Sequence, residues 1–180
     1  MKLSIDKVRI DYPFRIRRNT YPFDALLRHE YKFDFEVFLP SKGFNLQRDF
    51  CWTLMQKQQF ILSILKENPI PKVAVIQYKS KDGEQVYQVI DGKQRISTYI
   101  EFYKGEFYIT VDGTNYYYDD FDEMAQYHYN NFSFVGDLAY EYWDEPISDD
   151  DKIKWFMQVN FAGTPQDLEH FNKLTISHSE

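Results

Sequence analysis

The run Val89-Ile90-Asp91-Gly92-Lys93-Gln94-Arg95 constrains this chain more than any other stretch. Gln85 to Ile90 reads as a buried strand, and a helix is expected from just after Gly92 to about Tyr103. Strand, glycine turn and helix start follow one another with no spacer. The sheet therefore fixes the turn in space, and Gly92 lets backbone come close to a neighbour or a ligand. Free N–H groups and the positive end of the helix dipole favour an anion there. Arg95 can grip a phosphate through two parallel hydrogen bonds. Asp91 would repel a bare phosphate, and a Mg²⁺ between carboxylate and phosphate removes that conflict. The same spacing also suits a structural reading, with Asp91 capping the helix and Arg95 lying on the surface.

The surrounding pattern predicts an α+β chain, with a small mixed sheet and a helical C-terminal part. The first thirty residues read as irregular, broken by Pro13 and Pro22, and Tyr31 to Leu39 alternates like one strand. Thr53 with Gln56 is a capping box opening a helix that Asn68-Pro69 stops. Val73 to Gln77 should pair with Gln85 to Ile90 as a hairpin around Lys81-Asp82-Gly83. Short Tyr-rich strands are expected at Phe107–Val111 and Tyr116–Tyr118, followed by an acidic segment from Asp119 to Glu123. Ser148 with Asp151 caps a helix through about Val159, and Thr164-Pro165 opens a last one.

At 180 residues, 43% hydrophobic and 27% charged, the chain is expected to be one domain over 1–180 that buries a core without disulfides. Cys51 is the lone cysteine, and no stretch is apolar enough for a membrane span or a signal peptide. A soluble cytoplasmic protein with no membrane association is the expectation. Charge divides unevenly: residues 1–104 hold 18 basic and 12 acidic side chains, residues 105–180 hold 3 and 16. An anionic partner for the first half, or attraction between the halves, would each account for this.

Two more segments carry candidate chemistry. In Gln47-Arg48-Asp49-Phe50-Cys51-Trp52, Arg48 could complete a phosphate site while Gln47 reads a base or orients water. The alternative is an Arg48–Asp49 surface pair with Phe50 and Trp52 in the core. Phe156 to Pro165 joins two helices and by itself is only a well-capped helix–loop–helix. His29, His128, His170 and His178 lack metal-ligand spacing.

Together the three segments resemble the N-terminal domain of GmrSD-type restriction proteins, a ParB/sulfiredoxin-like module marked by a D-G-Q-Q-R motif. Asp91-Gly92-Lys93-Gln94-Arg95 stands for that motif, Gln47, Arg48 and Trp52 for an earlier Q-R-x-x-x-W element. Phe156, Asn160, Gly163, Thr164 and Pro165 match a later F-x-x-x-N…G-T-P element, so the resemblance covers about 40–175 and leaves 1–39 as an extension. It implies nucleoside triphosphate binding with Mg²⁺, with hydrolysis as the associated activity, in sensing modified DNA or in phage defence. It assigns Asp91, Gln94 and Arg95 catalytic roles, Asp91 the metal, and Gln47, Arg48, Gly92, Lys93, Arg95, Asn160 and Thr164 the nucleotide. Lys93 departs from the family's glutamine, either adding phosphate attraction or removing a water-positioning amide. The family's H-N-H nuclease part is not expected in this chain, so a nuclease or other DNA-handling protein is the expected partner.

Two other readings follow from the residues. Tyr116, Tyr117, Tyr118, Tyr127, Tyr129, Tyr140 and Tyr142 among carboxylates could form an acidic, DNA-mimicking surface, making the protein a non-catalytic inhibitor. Arg15, Arg17, Arg18 and Arg28, interleaved with Tyr12, Phe14, Tyr21 and Phe23, could bind nucleic acid weakly.

Overall fold

The computed structural model describes residues 14–22, 32–141 and 146–161. Its centre is a mixed five-stranded sheet built from β1 (Ile16–Pro22), β2 (Lys32–Asp34), β5 (Val73–Lys79), β6 (Gln85–Asp91) and β9 (Ser133–Tyr140) in the order β1-β9-β5-β6-β2. The β1–β9 and β5–β6 pairs are antiparallel, whereas β9–β5 and β6–β2 are parallel. Two small ribbons lie outside it: β3 (Phe38–Leu39) with β4 (Phe44–Asn45), and β7 (Ile109–Val111) with β8 (Thr114–Tyr116).

Helices cover both faces of the sheet, which is why Val73 to Ile76 is a continuous buried run rather than an alternating one. One face packs Val75, Val89, Phe134 and Leu138 against α1 (Leu54–Leu65), α2 (Lys93–Tyr103) and Tyr129 of α3 (Glu123–Asn130). The other packs Ala74, Ile76, Ile90 and Ala139 against Ile153, Trp155 and Phe156 of α4 (Asp149–Phe161). The capping box of α1 is present in both halves: the Thr53 N–H donates to Gln56 Oε1 at 2.8 Å, and the Gln56 N–H to Thr53 Oγ1 at 3.3 Å. Ser148 likewise accepts from the Asp151 N–H at the start of α4.

The architecture is the expected α+β type, with four differences in its elements. Ile16–Pro22 is a strand rather than irregular; its partner β9 lies more than a hundred residues away, so nothing local announces it. Tyr31–Leu39 splits into β2 and β3. There Asp34 Oδ1 accepts from the Glu36 and Val37 N–H groups, a side-chain turn that pulls the backbone out of the ladder and leaves Val37 at φ 50°. The second short Tyr strand lies at Thr114–Tyr116, closed by Asp112 and Gly113 at positive φ. Between Asp122 and Tyr140 stand a helix and a strand that no sequence expectation covers, with Asp122 capping α3 through the Ala125 N–H. The helix expected from Thr164 lies outside the described residues.

Candidate functional site

Gly92 is the N-cap of α2, at φ 109°, and no side chain caps this helix. Asp91 is therefore not the cap. A Cβ on Gly92 would lie 2.5 Å from Val73 Cγ1, so both the backbone angle and the tight contact with β5 require glycine. One extra residue of β6 bulges here: Val75 faces Val89 but Ala74 faces Asp91, with Ile90 unmatched between them. Bulges re-aim side chains, and this one turns Asp91 onto the sheet face that Ala74 shares.

The segment 47–52 is clamped over the same turn from two sides. Buried Gln47 donates from Nε2 to the carbonyls of Val89 and Ile90 at 2.8 and 2.5 Å. Gln94 Oε1 accepts from the Cys51 and Trp52 N–H groups at 3.0 and 3.2 Å, and its Nε2 donates to the Asp49 carbonyl at 3.2 Å. Arg48 sits between these clamps, exposed, with no hydrogen-bond or ion-pair partner among the described residues. No Arg48–Asp49 pair forms. Trp52 is half-buried against Phe60, ring centroids 5.4 Å apart, and Lys57 Nζ lies 4.5 Å over the Phe50 ring.

The cationic side chains of the turn are committed differently. Lys93 is buried, and its Nζ reaches Glu36 Oε1 at 2.8 Å, so it points toward the β2–β3 connection. Arg95 Nη2 donates to Asp91 Oδ2 at 2.8 Å and to the Lys72 carbonyl at 2.7 Å, while its Nε is buried without a partner. Such an orphaned donor on a charged group costs about 1–3 kcal/mol or more when nothing satisfies it. The structure thus brings Gln47, Arg48, Asp91, Gly92, Gln94 and Arg95 into one constellation and commits Lys93 to Glu36, whose carbonyl accepts from the Gln47 N–H at 3.3 Å. Asn160 bonds within α4, to the Phe156 carbonyl, and no hydrogen bond joins it to the turn among the described residues. Thr164 lies outside the described residues. Glu36 and the Lys72 carbonyl were missed from sequence, because their partners are 57 and 23 residues away.

The tyrosines divide. Tyr129 is buried in the core and Tyr118 packs against it, whereas Tyr116, Tyr117, Tyr127 and Tyr140 are exposed; Tyr142 lies outside the described residues. Arg17 and Arg18 are exposed on the edge strand β1 and Arg15 just before it, and Phe14 packs on Trp155 instead of standing free. Arg28, Tyr12, Phe23 and the Tyr21 side chain lie outside the description. A groove of about 360 Å³ at the C-terminal end of α1 holds a Glu67–His128 pair at 3.1 Å, at the opposite end of that helix from the Gln94 clamp. Among the described residues, no three His, Cys, Asp or Glu side chains gather as a metal site, and no helix is long and apolar enough to cross a membrane.

No curated protein and no solved structure matches the chain. The family described as "GmrSD restriction endonuclease, N-terminal domain" matches residues 37–174, which takes in the clamped segment, the Gly92 turn and α4. With more than half its length matched, and with the turn and clamp inside that match, the chain belongs to the GmrSD N-terminal domain family.

Proposed function

We propose that the Gly92 turn and the segment clamped over it bind a nucleoside triphosphate with Mg²⁺, as a nucleotide-responsive module of a restriction or phage-defence system. The observation that carries this reading is the placement of Arg48. Two glutamines spend their amides on backbone to hold one segment over an uncapped helix N-terminus, and that segment carries a free, exposed arginine. Backbone N–H groups and the dipole of α2 hold phosphate oxygens, and Arg48 neutralises their charge from the opposite side. Gln47 and Gln94 act as positioning residues in this scheme.

A Mg²⁺ fits here in one way. Asp91 is the carboxylate at the turn, which suffices for an ion that takes one or two carboxylates and completes its shell with phosphate and water. When bound, the ion supplies charge neutralisation at the phosphate oxygens. Asp91 keeps one oxygen on Arg95 and has the other to offer. Because Gln94 is engaged with backbone, its amide is not free to orient an attacking water, and turnover is expected to be slow. A nuclease or other DNA-handling protein is the partner suited to read the nucleotide state.

The test is thermal denaturation with each triphosphate, with and without Mg²⁺, followed by phosphate release. Ligand at about 100 times its Kd should stabilise by roughly 2.7 kcal/mol. Arg48→Ala should remove that gain and leave the apo melting temperature unchanged. Absence of stabilisation by any triphosphate in the unmutated protein would overturn the reading.

A further inference from the structure

We propose that Lys72 is a further phosphate-binding residue of this site, carried to its rim by the sheet register and tethered there by Asp137; this rests on the nucleotide reading above. The argument starts from one row across the sheet. Asp137 of β9 faces Ala74 of β5, and Ala74 faces Asp91 of β6, so both carboxylates lie on one face with only a methyl group between them. Two inter-strand spacings put their backbones about 10 Å apart. Lys72 precedes Ala74 by two residues and extends toward the same face, where its Nζ is 3.9 Å from Asp137 Oδ1.

Two contacts set Lys72 apart from the other cations nearby. Its carbonyl accepts from the Arg95 guanidinium that also holds Asp91, so its backbone is pinned to the site. Its ammonium is beyond hydrogen-bond reach of Asp137 and the side chain is 45% exposed, so a phosphate can recruit it without breaking a hydrogen bond. Arg95, at 16% exposure, and Lys93, at 8%, would each have to give up a 2.8 Å ion pair first. An incoming phosphate also meets two carboxylates along this row, and Lys72 is the cation placed to offset the one on β9.

The experiment measures affinity for a nucleoside triphosphate with Mg²⁺ in the full chain, its Lys72→Met variant and its Lys72→Arg variant, at two salt concentrations. Inorganic tripolyphosphate serves as a second probe. Lys72→Met should weaken triphosphate binding about tenfold, the share of one charge-assisted contact, and should flatten the salt dependence. Lys72→Arg should recover most of the loss, and neither variant should move the apo melting temperature. An affinity within about twofold of the unmutated protein would overturn the proposal. Should tripolyphosphate alone bind, and bind less well to Lys72→Met, the nucleotide reading fails while Lys72 keeps its role. Absence of binding by either probe would overturn both.

Discussion

The two ends of α2 are built from opposite materials. At its N-terminus, Lys93, Gln94 and Arg95 send their polar groups to other segments: a carboxylate on the β2–β3 connection, the backbone of 49–52, and Lys72 with Asp91. At its C-terminus, Tyr99 and Phe102 are fully buried among Phe107, Tyr118, Phe121 and Tyr129. There Tyr99 and Tyr129 stack with centroids 4.3 Å apart, each hydroxyl donating to the other's backbone carbonyl at 2.9 and 2.6 Å. One end spends its polar groups on holding other segments, and the other buries rings with their polar tips satisfied. Stability should therefore concentrate at one end and ligand response at the other.

The largest effect should come from emptying the aromatic end. Tyr129→Ala removes a fully buried ring and should cost roughly 3–5 kcal/mol in urea unfolding, as large-to-small aromatic changes in cores do. Whatever fraction stays folded should keep its triphosphate response. Loss of that response in still-folded protein would show that the two ends are coupled.

Gly92→Ala is next. It forces a Cβ to within 2.5 Å of Val73 and asks alanine to hold φ 109°. Overpacking with backbone strain should cost about 1–3 kcal/mol and abolish the triphosphate response. A variant that melts normally and still binds would mean that the turn is not where phosphate sits.

Gln94→Ala tests the clamp with a smaller change. It should lower stability by about 1 kcal/mol, because three hydrogen bonds to partly exposed backbone are exchanged for water. Its larger effect should fall on binding, since segment 49–52 is released and Arg48 loses its orientation. A Trp52 fluorescence shift on the substitution would report that release directly.

The contrast between the two ends also explains what sequence revealed. The turn and the capping box were legible because their chemistry is local: strand, glycine and helix start are contiguous, and Thr53 needs only Gln56. The matched motif also named Gln47 and Gln94, but not their task. Which atoms a glutamine binds depends on segments more than 40 residues away. Strand β9 stayed hidden because Gly136 and Asp137 interrupt its apolar pattern, and α3 because Tyr129 is its one buried residue. Both are held by long-range register and aromatic packing, which no local period records.

A change of similar size separates the ends by pH. Burial, and then the neighbouring Tyr99 and Tyr118, raise the Tyr129 hydroxyl well above its ordinary value of 10.0. The folded state thus favours the protonated phenol more than the unfolded chain does. Its contribution to stability is complete below pH 10 and is lost as pH rises from there toward the higher folded-state value. Tyr129→Phe should cost about 1 kcal/mol at neutral pH, the net worth of the lost bond to the Tyr99 carbonyl. It should also flatten the fall of unfolding free energy above pH 10, because the buried phenol that drives that slope is gone. Arg48→Ala should leave the alkaline slope intact, since Arg48 lies at the other end and touches none of these rings. If Tyr129→Phe instead left the slope unchanged, the alkaline loss would have to come from elsewhere, and Tyr129 would be a packing residue whose hydroxyl contributes nothing beyond its bond.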